Sequence, residues 1–480
     1  MKKLVSLLFL ISLCFIFSCD DGAQPNPNPE PDREIPADLL GTAGSTGENE
    51  DYAWDVIHDL KITWITKLFR WSEFQSGLGD PGYPGDPTAA GVGWNWTTMD
   101  NYVRRANQEG MKIIATIGCS DKMPFTAADG PEKGHYVPAG HIPAFANYIK
   151  QMVSHYSNNP DPLLHVDAWE IWNEGNYIPE WWEGTTTEFY ALHKAVVDAV
   201  REVNPDVPLL GFAATPVSDY TQWSKDLITF GAAPKDKVSG ASFHPYAASP
   251  VNVLKAFESF KSSVASGGLD QIWITEVGFP AGGSGFPTII KAESSASYTA
   301  ETIALLAAAG VPKIFWYEFS ESRASPSFSN YFEDYFGLTW WWQDGGVWKC
   351  ARQDSAAAFK LCATYIPGTT YKPNLPERQG SISSGVRSLY FEGKTGTHTL
   401  VLWNEKMTPQ NITVFLPGTG QTRYNLDSST WEDNSTANDT HKDPIPESIG
   451  NTTDITLGQF AYIYTWTNNT AGQVPRISAR

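Results

Sequence analysis

The stretch Asp167-Ala-Trp-Glu-Ile-Trp-Asn173-Glu174 decides how the rest of this 480-residue chain is read. It is a short apolar run that closes on an amide and a carboxylate. Gln271-Ile-Trp-Ile-Thr-Glu276-Val-Gly278 has the same design, again ending a strand-like run on a glutamate. A carboxylate at the end of a buried strand loses hydration, so it needs either a partner or a task.

Working outward from these two runs, short apolar segments alternate with amphipathic ones. Strands are expected at 38–43, 64–71, 111–118, 167–173, 208–214, 240–246, 271–277 and 311–319. Between them, helical periodicity covers 97–109, 142–155, 187–203, 251–265 and 295–308. Eight strands with crossover helices predict an α/β fold, a (β/α)8 TIM barrel over residues 37–365. After Tyr365 the texture changes to Pro367, Gly368 and Pro373, followed by strand-like runs at 388–391, 398–403, 412–415 and 460–465. This predicts a small C-terminal all-β domain, a β-sandwich over residues 366–480, read as a support for the barrel.

Composition narrows the partner. A net charge of -19 argues against nucleic acid, whose binding is dominated by cationic side chains. The 19 Trp exceed ordinary core needs and suit sugars, whose axial C–H faces stack on indole. The expected partner is a polysaccharide or oligosaccharide. His135, His141 and His165 show no i, i+4 pairing, and no cofactor loop stands out, so neither a metal nor a cofactor is expected.

The N-terminus carries Lys2 and Lys3 ahead of an apolar run from Leu4 to Phe17. Residues 1–18 are read as a signal peptide, and Ile16-Phe-Ser-Cys19 resembles a lipobox that makes Cys19 a lipidation site. Residues 19–36, with Pro25, Pro27, Pro29 and Pro31, are read as a tether. An extracytoplasmic, membrane-anchored monomer at a bacterial surface or in the periplasm follows. Sequons such as those at Asn411, Asn434, Asn438 and Asn451 point instead to a glycosylated eukaryotic protein, and the lipobox outweighs them. Of the five cysteines, Cys350 and Cys362 are close enough in sequence to be paired as a disulfide.

In barrels of this kind reactive groups sit at the carboxyl ends of strands. Strands four and seven face each other across the mouth, and Glu174 and Glu276 end them. Hydrolysis of a glycosidic bond requires a carboxylic acid to protonate the leaving oxygen and a carboxylate to attack the anomeric carbon. Glu174 is assigned as acid/base and Glu276 as nucleophile. Asn173 is placed to hydrogen-bond the sugar 2-hydroxyl. By alternation Ser242, His244 and Tyr246 share one face, with His244 and Tyr246 directed into the cleft and Tyr246 holding Glu276. Arg70, closing strand two, is expected to orient the nucleophile and keep it ionised.

Trp172-Asn173-Glu174 together with Trp273-Ile274-Thr275-Glu276 resembles clan A of the glycoside hydrolases, whose Asn-Glu pair ends strand four and whose nucleophile ends strand seven. The separation, 276 − 174 = 102 residues, is that of three β/α units. Ser242-Phe-His244-Pro-Tyr246 and the trailing β-domain favour a family 39-like over a family 5-like member. The resemblance covers nearly the whole barrel and implies a retaining mechanism. It also implies an aromatic platform from strand eight, for which Trp316 is chosen and Tyr317 is the alternative, since only one of the two faces inward. Trp181-Trp182 and Trp340-Trp341-Trp342 are expected on loops at the active face. The activity read from this is an endo-β-glycanase on β-glucan or xylan. An exo-acting β-xylosidase is the nearest alternative, and a non-catalytic glycan-binding lipoprotein the alternative of another class.

Overall fold

In the computed structural model of the chain, residues 30–44, 51–75, 87–88, 92–118, 134–217, 219–284, 289–321, 332–394, 396–406, 408–467 and 473–480 are described. The signal peptide, Cys19 and Cys119 lie outside these residues. Among the described residues, no helix is long and apolar enough to cross a membrane.

Eight parallel strands close into a barrel: β1 (Leu40–Ala43), β2 (Trp64–Phe69), β3 (Lys112–Ile117), β4 (Ala168–Ile171), β5 (Leu209–Ala214), β6 (Gly240–Phe243), β7 (Ile272–Val277) and β8 (Ile314–Tyr317). Closure is made by β8 pairing back onto β1, with Gly41 opposite Phe315 and Ala43 opposite Tyr317. The eight predicted strands are these eight. Each is followed by a helix: α1 (Asp51–Asp59), α2 (Thr97–Gln108), α3 (Ile142–Ser157), α4 (Thr186–Val203), α5 (Tyr220–Thr229), α6 (Pro250–Val264), α7 (Ala292–Ala308) and α8 (Asp354–Tyr365). Helix starts follow local chemistry. Thr185 and Glu188 form a reciprocal capping box for α4, while Ser249 caps α6 with Pro250 in its first turn.

The inside of the barrel is solid. Trp64, Ile114, Ala168, Leu210 and Phe315 are buried together there, with Trp273 and Tyr317 packed on them. Gly41 leaves room for this layer, because a Cβ at that position would lie 2.7 Å from the Phe315 ring and from Trp64. The outward-facing strand residues, such as Ile113, Trp169 and Ile274, join the helices in a second and larger core.

The C-terminal part is a sandwich of a seven-stranded and a four-stranded sheet. The strand Thr397–Asn404 shows how it attaches. Leu400 and Leu402 face the sandwich interior with Tyr464 and Trp466, whereas Val401 and Trp403 face the barrel's helix-side core. Burial on both faces explains why 398–403 reads as one continuous apolar run. Helix α7 lies at this junction, and its Ser297 hydroxyl accepts a hydrogen bond from the Ala461 amide at 2.9 Å.

Three expectations change. Residues 19–36 do not all belong to a tether, because Arg33–Glu34 pairs with Thr370 and Tyr371 as the edge of the seven-stranded sheet, and Ile35 is buried. Trp340 to Trp342 form a strand, not a loop. Thr339–Asp344 makes an antiparallel hairpin with Val347–Arg352, turning at Gly345-Gly346, both with positive φ. Cys350 and Cys362 are free buried thiols, because one sits in that hairpin and the other inside α8. Burial pushes both well above the ordinary thiol range.

Candidate active site

Glu174 reaches the barrel mouth through an abrupt change of backbone direction. Ala168 and Glu170 alternate into the barrel, and continued alternation would send residue 172 inward too. Instead Trp172 takes φ +64° and Glu174 φ +47°. This conformation costs on the order of 1–3 kcal/mol per non-glycine residue and must be held by packing. The Trp172 ring supplies that packing, wedged against Phe145, Trp182 and Phe189, with its indole N–H donating to the Trp181 carbonyl at 2.7 Å. Two glycines make room: a Cβ on Gly118 would sit 2.3 Å from the Trp172 ring, and one on Gly175 would sit 2.1 Å from Phe189. Asn176 then ties the turn to the end of β5, exchanging hydrogen bonds with Thr215 at 2.7 and 3.0 Å.

Glu276 arrives by another device. In β7, Ile274 pairs with Ile314 and Val277 with Trp316, so two residues of β7 oppose one of β8. This extra residue is a β-bulge, a feature that re-aims side chains beside active sites. It allows consecutive side chains, Thr275 and Glu276, both to turn to the mouth. Thr275 is a site residue that alternation did not single out together with its neighbour.

The result is a compact cluster. One oxygen of Glu174, one oxygen of Glu276 and a ring nitrogen of His244 lie within 4.8 Å of one another. His244 Nδ1 is 3.0 Å from Glu174 Oε1 and 3.5 Å from Glu276 Oε2, while Nε2 is 3.1 Å from Thr275 Oγ1. Tyr246 donates its hydroxyl to Glu276 Oε2 at 2.8 Å, as expected from its place on the sequence. Two carboxylates and an imidazole are also the ligand types of a divalent-metal site. Here both imidazole nitrogens are already engaged by protein groups, so coordination would have to break one of those contacts.

The electrostatics follow from burial. Burial raises Glu276 to about 7, against the opposing pull of the His244 charge and the Tyr246 hydrogen bond. Burial works against the charged form of His244, yet Glu276 and Glu174 together overcome it and lift the imidazole to about 9. Burial and the Glu276 charge push Tyr246 upward, which keeps its phenol protonated as a donor.

The remaining sequence expectations divide. Asn173 is half-buried at the mouth and its side chain makes no hydrogen bond among the described residues, leaving it open to a ligand hydroxyl. His244 is fully buried and braces the two glutamates from beneath, with Nδ1 toward both and Nε2 toward Thr275. Trp316 is corrected as well. It is 1% exposed, points outward, and packs toward Phe279 in the helix-side core. Tyr317 takes the inward position, in edge contact with Tyr246 and Phe336. Arg70 directly follows β2 and forms an ion pair with Glu73 at 3.9 Å, and the groups acting most strongly on Glu276 are His244, Glu174, Tyr246 and Glu170. Trp182 is buried, not presented at the surface.

Three further carboxylates surround the pair and were not read from sequence. Glu170 lies beneath it, accepting a hydrogen bond from Thr116 at 2.8 Å. Glu333, on the short turn Phe332–Tyr335, accepts a 3.4 Å hydrogen bond from the Tyr317 hydroxyl and is raised to about 7 by burial and by Glu174. Glu318 is buried after β8 and raised to about 9 by burial and by Glu333. A glutamate in a non-periodic loop sequence carries no signal of this convergence.

These shifts have a common sign. Glu276, Glu333, Glu318 and His244 all bind protons more tightly folded than unfolded, where glutamate and histidine titrate near about 4.3 and about 6.5. Their contribution to folding stability is full below the unfolded values, about 4.3 for the glutamates and about 6.5 for His244, and is lost as pH rises through about 7 and then about 9. Differential scanning calorimetry should show a lower Tm at high than at low pH across this window, with Glu318→Gln reducing the slope. A Tm that is flat or rises would contradict it.

A closed (β/α)8 barrel with two glutamates ending β4 and β7 defines an O-glycoside hydrolase of clan A. The family model for cellulase (glycosyl hydrolase family 5) matches residues 34–319, more than half of the chain. The chain belongs to that family. A β-xylosidase of Geobacillus stearothermophilus is 28% identical over 131 residues, covering 26% of this chain and 25% of that protein. A β-xylosidase of Caldicellulosiruptor saccharolyticus is 27% identical over 159 residues, covering 31% of each. The chain thus matches between a quarter and a third of the length of these relatives. Among solved structures, a family 39 glycoside hydrolase from Bacteroides cellulosilyticus superposes with a TM-score of 0.59 at 18% identity, covering 90% of this chain and 81% of the other. The family match bears out the family 5-like side of the expectation, and the family 39 enzyme shares the fold.

Proposed function

We propose that this protein is a retaining β-glycosidase that removes xylose units from the ends of β-xylosidic chains by double displacement. The observation that carries the mechanism is the approach of Glu174 and Glu276 to within 4.8 Å, which suits direct attack on the anomeric carbon. An inverting enzyme holds its carboxyl groups about 6.5–9.5 Å apart to admit a water. Glu276 attacks, Glu174 protonates the departing oxygen, and a covalent glycosyl-enzyme forms. Glu174 then accepts a proton from water as the water releases the sugar. Support for xylose comes from the two β-xylosidase relatives.

A second reading, an endo-β-glycanase on xylan or β-glucan, is favoured by the cellulase family match. Incubation with aryl β-xyloside, xylo-oligosaccharides, xylan and β-glucan, with product lengths resolved, separates the two. Release of xylose alone supports the first reading; an early ladder of oligosaccharides overturns it for the second.

The same proposal places the enzyme outside the cytoplasm as a monomer, held to the membrane by lipid on Cys19. Cys19→Ser should move it from the membrane to the soluble fraction, and unchanged membrane association would defeat the anchor.

A further inference from the structure

A cleft of about 650 Å³ lies away from the glutamate pair, where three parts of the chain meet. Helix α1 forms one wall with Asp55 and Asp59. The strand Val347–Arg352 forms another with Trp348. The segment Asn438-Asp439 of the β-domain forms the third. Sequence gives no hint of the cleft, because its lining residues come from three separate stretches, 55–59, 346–352 and 438–439.

The walls are fixed to one another. Arg352 bridges Asp59 of α1 and Asp439 of the β-domain, and Lys360 of α8 adds contacts to Asp59 at 2.7 and 2.8 Å. Cys350 and Ala351 pair in parallel with Asp439 and Thr440, and the Cys350 amide donates to the Asn438 carbonyl at 2.8 Å. The cleft is therefore built into the junction and does not depend on one loop.

Its lining has unused capacity of a particular kind. Among the described residues, the exposed Asp55 carboxylate, the exposed Asn438 amide and the Trp348 indole N–H make no hydrogen bond to protein, and the Trp348 ring stacks on no other aromatic. Trp348 is half-buried and lines the cleft. An indole face takes the axial C–H bonds of a pyranose by stacking. A carboxylate and a primary amide beside it match vicinal hydroxyls, which donate and accept at close spacing. The void is in the size range of small-ligand sites. Alternatives fit less well: a nucleotide or other phosphate would meet Asp55, Asp59 and Asp439, and the Arg352 charge is already neutralised by two of them.

We propose that this cleft is a second carbohydrate-binding site, taking the neutral sugar rings of a β-linked glycan chain and holding polymer on the enzyme independently of the catalytic pair. The β-domain, through Asn438 and Asp439, then does more than support the barrel.

The test uses the full chain carrying Glu276→Gln, so that binding is read without turnover, in native gels cast with xylan or with β-glucan. Trp348→Ala and, separately, Asp55→Ala are made in that background, with near-ultraviolet circular dichroism confirming the native fold of each. On the gel where the parent is retarded, both should lose retardation, with an apparent Kd about tenfold weaker or more. In the otherwise native enzyme, both should leave kcat/KM on an aryl β-glycoside unchanged. Unaltered retardation in both variants, or a parent retarded on neither gel, overturns the second site. Because the aryl-glycoside assay reads the catalytic pair alone, failure of the proposed activity and failure of this site are seen in different measurements.

Discussion

Replacing Glu276 by Gln should reduce kcat on any glycoside substrate by about 10⁴-fold or more, while leaving the fold intact. The amide keeps the shape of the side chain and can still accept the Tyr246 hydrogen bond made to Oε2 at 2.8 Å. What it lacks is the negative charge and the nucleophilic oxygen needed to form the glycosyl-enzyme. The variant also removes a buried acid and one of the two carboxylates that hold the His244 proton. Its Tm should therefore be no lower than that of the parent above neutral pH. Steady-state hydrolysis together with calorimetry checks both parts. Retention of more than a few per cent of kcat in a folded variant would remove Glu276 from the nucleophile's role.

The second large effect is expected at Glu174, and its signature is selective. Glu174→Ala removes the proton donor for the leaving oxygen and the base for the second step. General acid–base assistance of this kind contributes about 10²–10⁴-fold. With a natural leaving group, which needs that proton, the loss should be at the upper end of this range. With an activated aryl leaving group, which needs little protonation, formation of the glycosyl-enzyme should persist and its hydrolysis should become limiting. A small anion such as azide needs no base, so adding it should restore turnover and yield the glycosyl azide. The physical basis is the shared environment of the two glutamates, both within reach of His244 at 3.0 and 3.5 Å. Once Glu276 is esterified its charge is gone, and with it the repulsion that favours a proton on one member of the pair. Equal losses on activated and natural substrates, with no azide rescue, would contradict the assignment.

The barrel was readable because its strands are short apolar runs between amphipathic helices, and burial on both faces imposes that texture. The two glutamates were readable because each closes such a run. Where the reading stopped is equally physical. Strict alternation cannot foresee a bulge, so Thr275 and Glu276 were not both placed at the mouth, although the bulge opposite β8 puts them there. Alternation does force a choice between Trp316 and Tyr317, but nothing in the run says which phase holds. The register with β1, pairing Tyr317 with Ala43 inside the barrel, decides it for Tyr317. His244 was expected to face the cleft, and it does so from beneath, where Thr275, Glu174 and Glu276 enclose it. The edge strand Arg33–Glu34 was hidden inside a proline-rich stretch, because its partner lies more than 330 residues away at Thr370 and Tyr371. Glu333 and the Trp348 cleft arise from tertiary approach alone.

Double displacement follows from two carboxyl groups too close together to admit a catalytic water between them. Proton NMR recorded during the first minutes of hydrolysis of a β-glycoside, before mutarotation, reads the anomeric configuration of the sugar as it is released. The β anomer should appear first and the α anomer only later. If the α anomer is the first product, the reaction inverts, and the roles given to Glu174 and Glu276 are wrong.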